Sequence, residues 1–107
     1  MKDEHMYRID WDAIPWTSPM PGVRFKAHAQ QGRKLRWVEF LRGFQEPDWC
    51  RKGHIGYVLE GEGDLVFAGY AVRLKAGDGL FIPPGEDHQH RLQVLSGRFC
   101  CVLVEDL

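Results

Sequence analysis

The chain has too few cysteines for a disulfide framework. Its 107 residues include three, Cys50, Cys100 and Cys101. An odd count that contains two sequence neighbours favours reduced thiols and a cytoplasmic protein. No apolar run approaches the roughly 20 residues that span a bilayer, and residues 1–10 are polar and charged where a secretory leader would be apolar. A membrane partner is therefore not expected. Excess charge is missing too: 14 Lys and Arg stand against 15 Asp and Glu, a net charge of −1, with the basic residues scattered. That distribution gives no footprint for a nucleic-acid partner. Finally, no stretch carries apolar residues at helical spacing, and no internal repeat or low-complexity segment divides the chain.

What is present is a series of short alternating segments, punctuated by 12 glycines and 6 prolines. Strands are expected at 23–30, 33–42, 54–60, 64–68, 70–74, 80–82, 88–95 and 98–105. They are separated by turn residues at Gly32, Gly61, Gly69, Gly77 and Gly97. Many short strands at close spacing indicate an all-β sandwich or barrel of one domain, residues 1–107. Within it, 1–22 reads as an aromatic arm with one turn near Trp11 and a loop at 17–22, and 23–107 as the barrel. Met1 to Glu4 are expected to fray, and the arm to cover an open barrel end or a partner subunit.

The most informative stretch runs from Gly77 to His88: a turn, the apolar strand Leu80-Phe81-Ile82, a stop at Pro83-Pro84, a reversal at Gly85, and a histidine opening the next strand. If that strand begins at His88, then His88, His90, Leu92 and Val94 share one face. The spacing G-x5-P-x-G-x2-H resembles the second motif of the cupin superfamily, whose closing histidine is a metal ligand; Leu92 stands where the family has Asn. Upstream, Tyr57-Val58-Leu59-Glu60-Gly61-Glu62-Gly63 is similar to the end of the first cupin motif. Counting back aligns Asp48 and Cys50 with the family's two histidines and His54 with its glutamate.

The resemblance implies a single cupin-like jelly-roll β-barrel of six to eight antiparallel strands, a homodimer, and a metal site made by Asp48, Cys50, His54 and His88. Donors of these types suit a divalent ion, with zinc or iron foremost and manganese or nickel as further choices. His90, Glu39 and Tyr57 are the candidate pocket residues, in contact with the ligands or with a small polar molecule. Each has a structural reading as well. His88 and His54 can be hydrogen-bonded polar residues of a barrel, Cys50 a small buried hydrophobe, and Asp48 a turn residue after Pro47. Cupins include enzymes, binding modules and storage proteins. The functional expectation is accordingly a metal-binding small cupin, enzymatic or ligand-binding, and the alternative a metal-free cupin that binds or senses a sugar or carboxylate.

Overall fold

Alternation with period two sorts the chain into inner and outer faces. A computed structural model, which describes residues 7–107, assembles those faces into two sheets. The strands are β1 (Thr17–Met20), β2 (Val23–Gln30), β3 (Arg33–Leu41), β4 (His54–Glu60), β5 (Glu62–Phe67), β6 (Tyr70–Lys75), β7 (Gly79–Ile82), β8 (Arg91–Val94) and β9 (Arg98–Asp106). They pair antiparallel in the orders β1-β2-β3-β9-β4-β7 and β6-β5-β8. This is an all-β jelly roll whose two sheets are not closed into one continuous barrel. The expected fraying of Met1 to Glu4 lies outside the described residues.

The inner row of the large sheet runs through Phe25, Val38, Cys101 and Val58, which lie level across four strands. It packs against Leu65, Leu74, Leu92 and Val94 of the small sheet, with Phe99 between them. Beyond shifts of one or two residues at strand ends, two readings need correction. Residues 17–22 are not all loop: Thr17–Met20 forms β1 at the sheet edge, where Pro19 removes no hydrogen bond needed by an inner neighbour. The strand expected from residue 88 begins only at Arg91, because Glu86–His88 makes a 3-10 turn after Gly85, whose φ is +119°.

The aromatic arm makes its turn at Trp11–Ala13, capped by Asp10. It lies on the outer face of the large sheet rather than over a barrel end. Trp11 and Trp16 meet Trp37 edge-on, with ring centroids 5.9 and 6.1 Å away, and Lys26 Nζ donates to the Trp11 carbonyl. Farther along the same face, Ile55, Tyr57, Leu59 and Phe81 are exposed, Phe81 at 73%. Among the described residues no helix is long and apolar enough to cross a membrane.

Candidate metal centre and cavity

The site begins where the connection 42–53 is stitched to the start of β8. Glu46 N donates to Leu92 O at 3.0 Å, and the Glu46 carboxylate accepts from Leu92 N at 2.9 Å. Cys50 and His90 then form an isolated antiparallel bridge, exchanging both backbone hydrogen bonds at 2.8 and 3.0 Å. Residues opposed in this way have neighbouring side chains, so the thiol and the imidazole of two distant segments are brought together. His90 is 2% exposed. Its Nδ1 lies 3.0 Å from the His88 carbonyl, which fixes Nδ1 as a donor and leaves Nε2 for the thiol or for an ion.

The third member comes from β4. The Ile55–Val104 pairing sets His54 level with Glu105 of β9, and His54 Nδ1 lies 2.6 Å from Glu105 Oε2. The N–H is turned off that line, so the contact is an ion pair rather than a straight hydrogen bond. Glu105 is itself gripped by the fork of Arg36, Nε to Oε1 at 2.8 Å and Nη2 to Oε2 at 2.6 Å, with Lys34 3.6 Å away. On the other side of the ring, His54 Nε2 is 3.6 Å from Cys50 Sγ. One potential ligand atom from each of Cys50, His54 and His90 lies within 4.8 Å of the other two. The His54 and His90 rings meet edge-on at 5.4 Å.

These contacts set the charges. Cys50 is lowered to about 5 by hydrogen bonding from His54 and then His90, against a smaller opposing effect of burial. Burial would lower His54, but the Cys50 and Glu105 contacts outweigh it and raise the imidazole to about 9. Burial likewise opposes ionisation of Glu105, yet His54 and Arg36 hold it at about 2. The metal-free centre is thus a thiolate and an imidazolium backed by a carboxylate. Cys101, in contrast, is pushed by burial to about 12. Alkylation of chelator-treated protein by iodoacetamide is expected to modify Cys50 with a half-maximal rate near pH 5 and a plateau above it, because the nucleophile is the thiolate. Cys101 should stay unlabelled. A Cys50 midpoint at the ordinary thiol value of 9.0 would contradict the imidazole contacts.

The cluster occupies one end of a cavity of about 290 Å³ between the sheets. Phe25, Phe40, Phe44, Leu65, Leu74 and Phe99 contribute to its walls. Glu46, Arg36 and Lys52 are its other charged lining residues.

The family model described as "Cupin domain" matches residues 51–103, from the end of the connection before β4 into β9. The chain belongs to the cupin superfamily. Solved cupin structures agree with it in fold. KdgF from Halomonas sp. is 24% identical with a TM-score of 0.72, covering 86% of this chain and 84% of its own. An RmlC-like cupin from Shewanella frigidimarina is 19% identical at 0.74, covering 94% and 89%. The polyketide cyclase RemF from Streptomyces resistomycificus is 21% identical at 0.77, covering 94% and 79%. At these identities the likeness is one of fold. Among curated proteins none matches the chain.

In this cupin the residues singled out in the sequence separate into two groups. Cys50 and His54 converge, and they do so with His90, not with His88 or Asp48. His88 is exposed at the end of the 3-10 turn, and its backbone carbonyl, not its ring, serves the centre by anchoring His90. Asp48 is exposed in the bend after Pro47. Glu39 is buried but faces the outer side of β3, where Arg24 and Arg98 hold it at 2.7 and 2.5 Å. Tyr57 also points outward and is half exposed. Neither of these two lines the cavity. Glu105, Arg36 and Glu46 were not singled out. The first two were legible in principle: Glu105 continues the inward row Phe99, Cys101, Leu103, and Arg36 continues Phe40, Val38.

The donor set fits a divalent metal. A tetrahedral ion with metal–sulfur and metal–nitrogen distances of about 2.3 and 2.0–2.1 Å separates those two donors by about 3.5 Å, and Sγ and Nε2 of Cys50 and His54 stand 3.6 Å apart. Both imidazoles are held at Nδ1 by an oxygen and present Nε2 inward. This is how outer contacts orient metal-ligating histidines.

Proposed function

We propose that this cupin holds one divalent ion through Cys50 Sγ and the Nε2 atoms of His54 and His90, and binds a small molecule beside it in the cavity. The observation that carries the reading is the convergence of three donors from three separate segments at one end of the cavity. Thiolate with two imidazoles suits zinc or ferrous iron; manganese and nickel are weaker choices for a thiolate site. A bound ion would supply Lewis-acid polarisation of a ligand oxygen or, as iron, redox chemistry. The chain's own residues do the rest. Glu105 and the His88 carbonyl orient the rings, Arg36 keeps Glu105 ionised, and the aromatic walls exclude water.

Elemental analysis of untagged protein purified without chelator, beside Cys50→Ala, tests this reading. Near-stoichiometric zinc or iron in the wild type that is lost in the variant supports it. Wild-type protein that takes up no ion even after incubation with zinc, iron, manganese or nickel overturns it. A metal-free binding cupin is the second reading, and the direct Cys50–His54 contact favours it, since thiolate and imidazolium satisfy each other without an ion. The exposed apolar residues Ile55, Tyr57, Leu59 and Phe81 support a homodimer packed through this face. Light scattering would then give twice the 12.4 kDa chain mass.

A further inference from the structure

We infer that the ligand of this cavity is a ring-sized, largely apolar molecule carrying one oxygen function, a phenol, enol, carbonyl or carboxylate. That oxygen points to the Cys50/His54/His90 end and the Glu46 carboxylate is its hydrogen-bond partner. The inference rests on the proposed function above and names the ligand class of the same site.

Three observations carry it. The first is the segregation of the walls. Phe25, Phe40, Phe44 and Phe99 line the cavity together with Leu65, Leu74 and their apolar neighbours, while Glu46, Cys50, His54 and His90 are gathered through the Cys50–His90 and Glu46–Leu92 contacts, with Lys52 two residues beyond Cys50. A sugar presents hydroxyls on every side, and each hydroxyl buried without a partner weakens binding by about tenfold or more. These walls give one side of such a ligand nothing to bond.

The second observation is size. An apolar cavity of about 150 Å³ accommodates benzene. The volume here, about 290 Å³, has room for about two fused rings or one ring with a short chain.

The third is the spare capacity of the polar groups. Arg36 is committed to Glu105 through both of its hydrogen bonds. The Glu46 carboxylate, by contrast, uses Oε1 on Leu92 N, and Oε2 has no hydrogen bond or ion pair among the described residues. That free oxygen can accept from a phenol or enol, or donate to a carbonyl when it carries the proton. With one oxygen tied to the backbone, the side chain is already oriented, and little freedom is lost when the second oxygen takes a ligand.

Titration calorimetry of the zinc-loaded protein with 2-naphthol, 2-naphthoate and glucose tests the inference. At least one naphthyl probe should bind about 100-fold more tightly than glucose, from the apolar area buried. Glu46→Gln, which keeps the oxygen that Leu92 N bonds but turns the second oxygen into an amide nitrogen unable to accept, should weaken 2-naphthol by about tenfold with zinc content unchanged. Leu74→Trp, which fills the cavity, should abolish probe binding, again with zinc retained. Leu65→Phe is the milder filling variant should Leu74→Trp fail to fold. Glucose binding as tightly as the better of the two naphthyl probes overturns the inference, as does naphthyl binding untouched by a folded filling variant. Zinc retained without naphthyl binding defeats the ligand class and leaves the metal reading standing. Naphthyl binding that is blocked by cavity filling in a protein that never holds metal upholds the ligand class and defeats the metal reading.

Discussion

Replacing His90 by Ala is expected to cost more in metal affinity than the about 10–100-fold that accompanies loss of an outer contact, whereas His88→Ala should leave it unchanged. The contrast follows from the backbone. His90 is opposite Cys50 in a two-way bridge, is nearly fully buried, and has its Nδ1 fixed by a carbonyl. His88 is exposed on a turn and contributes only that carbonyl, which an alanine also possesses. Competition titration of zinc against a chromophoric chelator measures both variants, with circular dichroism confirming the fold. Equal losses in the two variants, or a loss confined to His88→Ala, would return the ligand role to the histidine that the linear motif indicates.

The second large effect is expected at Glu105. Glu105→Ala strands the Arg36 guanidinium, only 20% exposed, and frees the His54 ring. Removing one partner of a buried ion pair costs about 3–5 kcal/mol, and releasing the ring should lower metal affinity by about 10–100-fold. Glu105→Gln, which keeps the volume and one acceptor, should lose less. Urea unfolding of the metal-free proteins measures the first quantity and zinc titration the second.

The pH dependence has a definite sign. A carboxyl held at about 2 when folded, against an ordinary 4.5, contributes stability that is complete above pH 4.5 and is lost as pH falls towards 2. The gap between wild type and Glu105→Ala should therefore be widest between pH 4.5 and 6.5, close on acidification, and narrow again as pH rises towards 9, where His54, which Glu105 helps to raise, loses its proton. A difference within about 0.5 kcal/mol, as at an ordinary surface site, would mean that Glu105 does not anchor the centre.

Much of the fold was legible because its strands alternate cleanly. β2 and β4 have the bounds expected from apolar periodicity, and the Gly61 and Gly69 turns fall where composition puts them. β1 was hidden by Pro19 and Pro21, which read as loop unless the strand is known to lie at an edge. The site was only half legible, for a related reason. Parity along a strand cannot distinguish His88 from His90, since both fall on one face if the strand starts early. The 3-10 turn Glu86–His88 delays that start and removes His88 from the row. Glu39 drew attention as an acid among apolar residues, but its partners Arg24 and Arg98 are cross-strand neighbours that only the register reveals. Glu46 lies in an irregular connection, where no periodicity exists to assign a direction.

X-ray absorption at the metal edge of the zinc-loaded protein probes the central claim most directly, because it counts the donor atoms. The arrangement of Cys50, His54 and His90 predicts one sulfur at about 2.3 Å and a remaining shell of nitrogen or oxygen at about 2.0–2.1 Å that includes two imidazoles, with the sulfur lost in Cys50→Ser. A shell without sulfur, or one unchanged by that substitution, would show that the ion is held elsewhere and that this Cys/His cluster is not the metal centre.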